Sequence, residues 1–214
     1  MRVLVLGAGS VGSLFGGLLA RAHEVVLVGR GPEMEKVREG GLRIESEVGT
    51  VVARPGACDR IPPGRFELAA IAVKAYDLHT ACAALAGSGA SADRILCLQN
   101  GIGNEEILRA HFPAESIVRG LVYHGVMRAS PARYVWYGRG STLIGRPLAL
   151  APHERDPEME ALAALFTDSG FPARATVEIG REIWKKLAVN AAINPVGAIT
   201  GLPNGALVRS SFLL

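Results

Sequence analysis

The chain opens on a continuous apolar run, RVLVL at Arg2–Leu6, β-branched at alternate positions and closed by a glycine. Such a run predicts a strand buried on both faces. Residues 10–22 carry small and apolar side chains without a proline, which predicts a helix packed closely on that strand. EVVLV at Glu24–Val28 predicts a second buried strand, halted by Gly29, Arg30, Gly31 and Pro32. A strand, a helix and a strand within about thirty residues make a βαβ unit, expected to be parallel and right-handed.

Farther along, residues 42–44 and 50–53 predict a short strand pair, and RIPPGR at 60–65 a loop. Residues 67–73 and 94–98 predict two more core strands, with an alanine-rich helix over 78–85 between them. The segments 117–127, 134–137 and 142–144 read as antiparallel strands joined by glycine turns, and 171–177 as a last strand. Pro157 starts a helix at its first turn. From about residue 178 the texture changes to one long helical pattern over 182–199, with Pro195 inside it expected to kink or interrupt it. The expected architecture is α/β: a Rossmann-type dinucleotide-binding domain over 1–177, then the start of an all-α domain over 178–214. A helix and a short tail bury too little to fold alone, so this second unit reads as truncated or docked elsewhere.

Composition narrows the class. With 49% hydrophobic and 20% charged residues among 214, the chain suits a soluble globular enzyme and not a disordered one. The formal charge of +3 comes from scattered basic residues, so no nucleic-acid stripe is expected. Cys58, Cys82 and Cys97 lack C-x-x-C spacing, which argues for reduced thiols in a cytoplasmic setting and against a zinc site. No apolar run is long enough to span a membrane. Residues 1–22 superficially imitate a secretion signal, but Gly7, Gly9, Gly12, Gly16 and Gly17 interrupt them and have a better explanation.

That explanation is chemical. Gly7, Ala8, Gly9, Ser10, Val11 and Gly12 match G-x-G-x-x-G directly after a strand and at the start of a helix. The first glycine permits a tight turn, the second admits a pyrophosphate to the backbone, and the third lets helix and strand approach. The helix N-terminus then offers free N–H groups to the phosphates. A glycine turn without a ligand is the bland alternative, and the strand–helix–strand context weighs against it. At the end of the second strand stands Arg30, where an acid would serve an NAD ribose. An arginine there suits the 2′-phosphate of NADP(H), although a solvated loop arginine would look the same.

Only four of the 23 basic residues are lysines: Lys36, Lys74, Lys185 and Lys186. Lys74 follows one predicted core strand and Asn100 the next, on the carboxyl edge where such sheets bind ligands. Each alone could be a turn residue. Lys186, Asn190 and Asn194 recur every four residues, which places an ammonium and two amides on one helix face. Asparagine is a poor interior helix residue, so the pair is either structurally satisfied or held for a ligand.

Together, GAGSVGSLFGGLLA, VKAYD, LQNGIGNEE and WKKLAVNAAINPVGAITG resemble the ketopantoate reductase (2-dehydropantoate 2-reductase) family, in order and spacing, over essentially the whole chain. The resemblance implies NADPH-dependent reduction of 2-dehydropantoate to (R)-pantoate, on the route to pantothenate and coenzyme A. It implies Lys186 as catalytic lysine and general acid, Asn190 and Asn194 as substrate amides, and Asn100 as the cleft asparagine near the nicotinamide. Arg30 and Lys74 would grip the 2′-phosphate, and no metal is implied. The family's helical domain continues for several dozen residues and supplies a carboxylate, whereas no Asp or Glu follows Asn194 here. The chain is therefore expected to bind NADPH but to turn over poorly, or only as an oligomer such as a homodimer. The competing readings are a related NADP-dependent reductase of another 2-keto or β-hydroxy acid, and a non-catalytic NADP-binding protein.

Overall fold

The computed structural model describes residues 1–147, 155–207 and 209. Its first half runs β1 (Arg2–Leu6), α1 (Ser10–Leu19), β2 (Glu24–Val28), α2 (Gly31–Gly40), β3 (Leu42–Ser46), β4 (Gly49–Ala53), β5 (Gly56–Cys58), β6 (Gly64–Ile71), α3 (Leu78–Ala86) and β7 (Ala90–Cys97). The second runs α4 (Asn104–Arg109), β8 (Ile117–Val122), β9 (Gly125–Ser130), β10 (Arg133–Gly138), β11 (Thr142–Gly145), α5 (Pro157–Asp168), β12 (Ala173–Ala175), α6 (Ile179–Thr200) and α7 (Asn204–Leu207).

Eight strands form the main sheet in the order β12-β11-β8-β7-β6-β1-β2-β5, and four form a second sheet, β4-β3-β10-β9. The alternation within β1 explains its unbroken apolar run. Val3 and Val5 join the apolar cluster on one face of the main sheet, while Leu4 and Leu6 join the cluster on the other. The first face is covered by α1, α5 and the second sheet, through Leu14, Phe15, Phe166, Ile44 and Tyr134. The second face is covered by α3 and α4, through Leu78, Cys82, Leu85 and Leu108. Helix α1 lies between the two sheets and is buried from Gly12 to Leu19. Helix α5 starts as its sequence demands: Pro157 occupies the first turn and the Asp156 carboxylate accepts the Met159 N–H at 3.2 Å.

Several expectations need correction. The antiparallel group splits between two sheets. β8 pairs parallel with β7, because α4 makes the pair a βαβ crossover, and only β11 returns antiparallel to β8. The apolar run breaks at Tyr123 and His124, after which β9 crosses to the second sheet and pairs antiparallel with β10. β10 in turn lies parallel to β3, with paired residues 90 positions apart in the chain, such as Arg133 and Arg43. Pro195 does not interrupt α6, which runs as one element of 22 residues and ends on Gly201 at φ +68. Helix α2 was absent from the expectation because its sequence is mostly polar; only Glu33, Met34 and Val37 are buried.

Candidate active site

From β1 the chain moves to β2 on one side, and β6 later pairs with β1 on the other. A crevice opens at such a switch of direction, beyond the carboxyl ends of the strands. Here it is a cleft of about 850 Å³, lined by Gly7, Gly9, Arg30, Arg60, Lys74 and Arg128 among others.

The glycine turn forms its floor. Gly7 sits at φ +104, and a Cβ there would meet the Val73 amide nitrogen at 2.8 Å. A Cβ on Gly12 would lie 1.8 Å from the Gly7 carbonyl oxygen. Both glycines are thus demanded by the fold itself. Gly9 differs: nothing stands within 4 Å of the Cβ it lacks, and its φ of −81° suits any residue. The room at Gly9 faces the cleft at the N-terminus of α1, a helix with no side-chain cap and no acid in its first turn. Gly7 and Ala8 line the cleft beside it, and the first N–H groups of α1 have no intrahelical acceptor.

Arg30 and Lys74 come together across this cleft. The Arg30 guanidinium, 93% exposed, lies 3.7 Å from Asp77, whose N–H donates to the Lys74 carbonyl at 2.9 Å. Glu33, the nearest acid after β2, turns inward. Its carboxylate accepts the Ala132 N–H at 2.8 Å, lies 2.9 Å from the Tyr134 hydroxyl, and pairs with Arg128. The Tyr134 hydroxyl also reaches the Ala8 carbonyl at 2.9 Å, and burial pushes its pKa up to about 12. Arg60, in the loop before β6, joins the same lining.

Lys186 lies along the same carboxyl edge, beyond β8. Only Ile179 and Ile183 of α6 are buried, packed on Leu121 and Leu143, and they set the helix over the end of that strand. One turn on, the Lys186 ammonium donates to the Val122 carbonyl at 2.6 Å and lies 4.7 Å from the Tyr123 ring centroid. Burial, and then the charge of Arg119, bring its pKa down to about 8. Lys185 points elsewhere, to Glu182 at 2.6 Å in solvent. Asn190 is half-buried and Asn194 exposed on the continuing helix, and neither amide makes a side-chain hydrogen bond among the described residues. Asn100 is exposed in the loop after β7, with its own carbonyl receiving the Asn104 amide at 3.3 Å.

Two residues near this edge escaped the sequence reading. Arg119 is fully buried on β8, and His124 is 8% exposed with no partner on either ring nitrogen among the described residues. Burial, followed by the charges of Arg139 and Lys186, holds the His124 ring down to about 4, so it is neutral at pH 7. A charge inside the apolar run IVRGLV was the visible signal for Arg119. Among the described residues, no cluster of three His, Cys, Asp or Glu could hold a metal ion, and no helix is long and apolar enough to cross a membrane.

The profile described as Ketopantoate reductase PanE/ApbA matches residues 3–148, and its C-terminal counterpart matches 178–213. A curated 2-dehydropantoate 2-reductase of Halobacterium salinarum is 38% identical over 213 residues, covering 98% of this chain and 69% of the relative. One from Pyrococcus abyssi is 35% identical, covering 100% and 69%. Among solved structures, a PanE/ApbA family ketopantoate reductase from Ralstonia eutropha superposes with a TM-score of 0.82 at 32% identity, covering 100% of this chain and 69% of that one. A D-mandelate dehydrogenase solved with NADH and anilino(oxo)acetate gives 0.86 at 25% identity, with the same coverages. This chain, spanning about 69% of the length of those relatives, belongs to the ketopantoate reductase family and is an oxidoreductase of Rossmann type followed by a mostly helical C-terminal region.

Proposed function

We propose that the cleft holds NADP(H) and that the chain reduces the ketone of 2-dehydropantoate to the alcohol of (R)-pantoate, with Lys186 as proton donor. The observation that carries this reading is the Lys186 ammonium: half-buried, fixed by one carbonyl, brought down to about 8, and seated at the strand edge that bears the glycine turn. The relatives at 38% and 35% identity that are named 2-dehydropantoate 2-reductase support the substrate.

The residues present fit the cofactor. The open room at Gly9 accepts a pyrophosphate against the backbone of 7–12, and Arg30, Lys74 and Arg60 offer cations for a 2′-phosphate. When bound, a reduced nicotinamide supplies the hydride. Everything else falls to the chain. As a ketone carbon is reduced, negative charge grows on its oxygen, and a positioned ammonium stabilises that charge and delivers a proton. A value near 8 keeps Lys186 charged at neutral pH yet makes it a better acid than an ordinary lysine. Asn190 and Asn194, one and two turns along α6, are the amides assigned to the substrate's hydroxyl and carboxylate, and Asn100 orients the reacting end.

The likeness to D-mandelate dehydrogenase favours a second substrate within the class, an aryl 2-keto acid. The test is NADPH oxidation by the purified chain with 2-dehydropantoate, with the 2-keto acid of mandelate, and with neither. Turnover several-fold greater with 2-dehydropantoate is expected. Preference for the aryl acid would replace the substrate, and cofactor binding without turnover of any keto acid would leave only a binding protein.

A further inference from the structure

We propose that Arg119 is a positioning residue whose terminal nitrogen Nη2 bridges the two peptide carbonyls that flank Asn100 and so sets where that side chain stands; the proposal rests on reading Asn100 and Lys186 as site residues. Arg119 touches neither the cleft nor solvent. Its side chain is 0% exposed, within a strand that otherwise carries Ile117, Val118, Leu121 and Val122. Packing gives no reason for a guanidinium there, because removing a charge from water is costly unless its donors are engaged. Where the donors go therefore states what the residue does.

One terminal nitrogen, Nη2, donates to the Gln99 carbonyl at 3.1 Å and to the Gly101 carbonyl at 3.2 Å. Those two groups bracket Asn100. The other, Nη1, reaches the Cys97 sulfur at 2.8 Å, and Nε lies 3.1 Å from the Glu105 carboxylate, which balances the charge without an aligned hydrogen bond. The Asn104 amide completes the frame from the first turn of α4, donating to the Asn100 and Gly101 carbonyls at 3.3 Å each. Gln99 ties the frame sideways, with its amide on the Ile71 and Val73 carbonyls at 3.0 and 2.8 Å, beside Lys74. Backbone pairing cannot do this work. The last ladder-type bond of the segment is Leu98 N–H to Ile71, and Gly101 and Gly103 then turn through φ +89 and +83. With Nη1 held by Cys97 and Nε by Glu105, the rigid guanidinium plane fixes where Nη2 points, a constraint that a flexible lysine lacks.

The charge of the same guanidinium also acts on Lys186, second to burial, and this yields a readout that a merely structural role would not move. Around the Lys186 ammonium stand the Val122 carbonyl, the Tyr123 ring, neutral His124 and, on its own helix, Glu182, which is held by Lys185. Arg119, with Glu105 of α4 against it, is the charge among these that lowers Lys186. Without that charge the basic limb of the reduction rate moves to higher pH.

Three variants separate the possibilities: R119K, R119M, and R119M/E105Q, in which no carboxylate is left stranded. Hydrogen exchange on the cofactor-free protein reads the loop directly. Amides of Leu98, Ala110, His111 and Phe112, each hydrogen-bonded in the parent on either side of that loop, should exchange at least tenfold faster in R119M/E105Q, while those of β1 and α1 keep the parent rate. In kinetics, all three variants should lose kcat by roughly tenfold to 100-fold, the scale of a misplacement near 1 Å, with NADPH affinity within about threefold, too small a change for a lost direct contact. The basic limb should rise in the two methionine variants and stay in R119K. Unchanged exchange in R119M/E105Q overturns the proposal, whatever the activity does. Turnover retained by Lys186→Met overturns the reading of the site instead, and the exchange result stands apart from it.

Discussion

Gly9 and Gly12 share one motif, yet the geometry assigns them opposite duties, and alanine at each position separates the duties. At Gly12 a Cβ would stand 1.8 Å from the Gly7 carbonyl oxygen, so helix and turn must part by about 1.2 Å merely to reach the 3.0 Å limit that real Cβ atoms respect. Both sides of that contact are backbone, and α1 is wedged between two sheets, so the strain has no cheap outlet. Overpacking of this kind costs about 3 kcal/mol or more, which for a chain of this size lowers Tm by roughly 6–12 °C. At Gly9 the added methyl meets nothing within 4 Å. The small loss of an N-cap glycine is offset by a less flexible unfolded chain, and Tm should hold within about 2 °C. The methyl does occupy the room proposed for the pyrophosphate, so NADPH should bind at least about tenfold more weakly, or about 1.4 kcal/mol. Thermal unfolding and fluorescence titration with NADPH check both variants. NADPH bound by Gly9→Ala as tightly as by the parent would refute the placement of the cofactor at this turn.

Three other outcomes follow from the same geometry. Lys186→Met should lower kcat by about 100- to 10,000-fold with NADPH affinity nearly unchanged, and the parent's reduction rate should be flat below pH 8 and fall above it as the ammonium discharges; Lys185→Ala should change neither, and equal losses in the two would place the acid elsewhere. Arg30→Ala should reduce the preference for NADP(H) over NAD(H) by about tenfold or more, and equal dissociation constants for the two cofactors in the parent would remove the phosphate from that position. His124 is folded with a pKa near 4 against 6.5 for a free ring, so the neutral form fits the fold, and stability present above pH 6.5 is lost as pH falls toward 4. The loss reaches about 3 kcal/mol at the acid end, and denaturant melts of His124→Phe across that window should lack it; parallel curves for parent and variant would assign the acid sensitivity to other groups.

What could be read in the sequence were features whose cause is local. β1 and β2 are buried on both faces, so their apolar runs announce them, and the glycine spacing follows from contacts within a single turn. The four-residue recurrence of Lys186, Asn190 and Asn194 survives as one face of α6. The unread features depend on distant partners. α2 is a helix because Met34 and Val37 meet a core assembled largely by other segments, and Glu33 because it finds Arg128, Tyr134 and Ala132. The parallel pairing of β10 with β3 has no local signature in either strand. Arg119 was legible only as an anomaly, since its donors meet a loop some twenty positions earlier. Pro195 leaves α6 uninterrupted because a proline deletes one hydrogen bond, which a 22-residue helix tolerates.

The buried link from Glu33 through Tyr134 to Ala8 makes the cleft mechanically lopsided. On that side, the second sheet, α2 and the glycine turn are bolted to one another through a carboxylate with 8% exposure, and Arg128 is drawn into the same knot. Opposite stands the segment after β6, whose closing contact is the Arg30–Asp77 pair at 3.7 Å, its side chains 93% and 40% exposed. Parting an exposed pair of that kind costs less than about 1 kcal/mol, whereas prising open the knot would leave a buried carboxylate unpaired. A dinucleotide bound as proposed would enter and leave by displacing the outer flank. The fixed jaw keeps its register while the outer one gives, so the glycine turn stays in place however that flank moves.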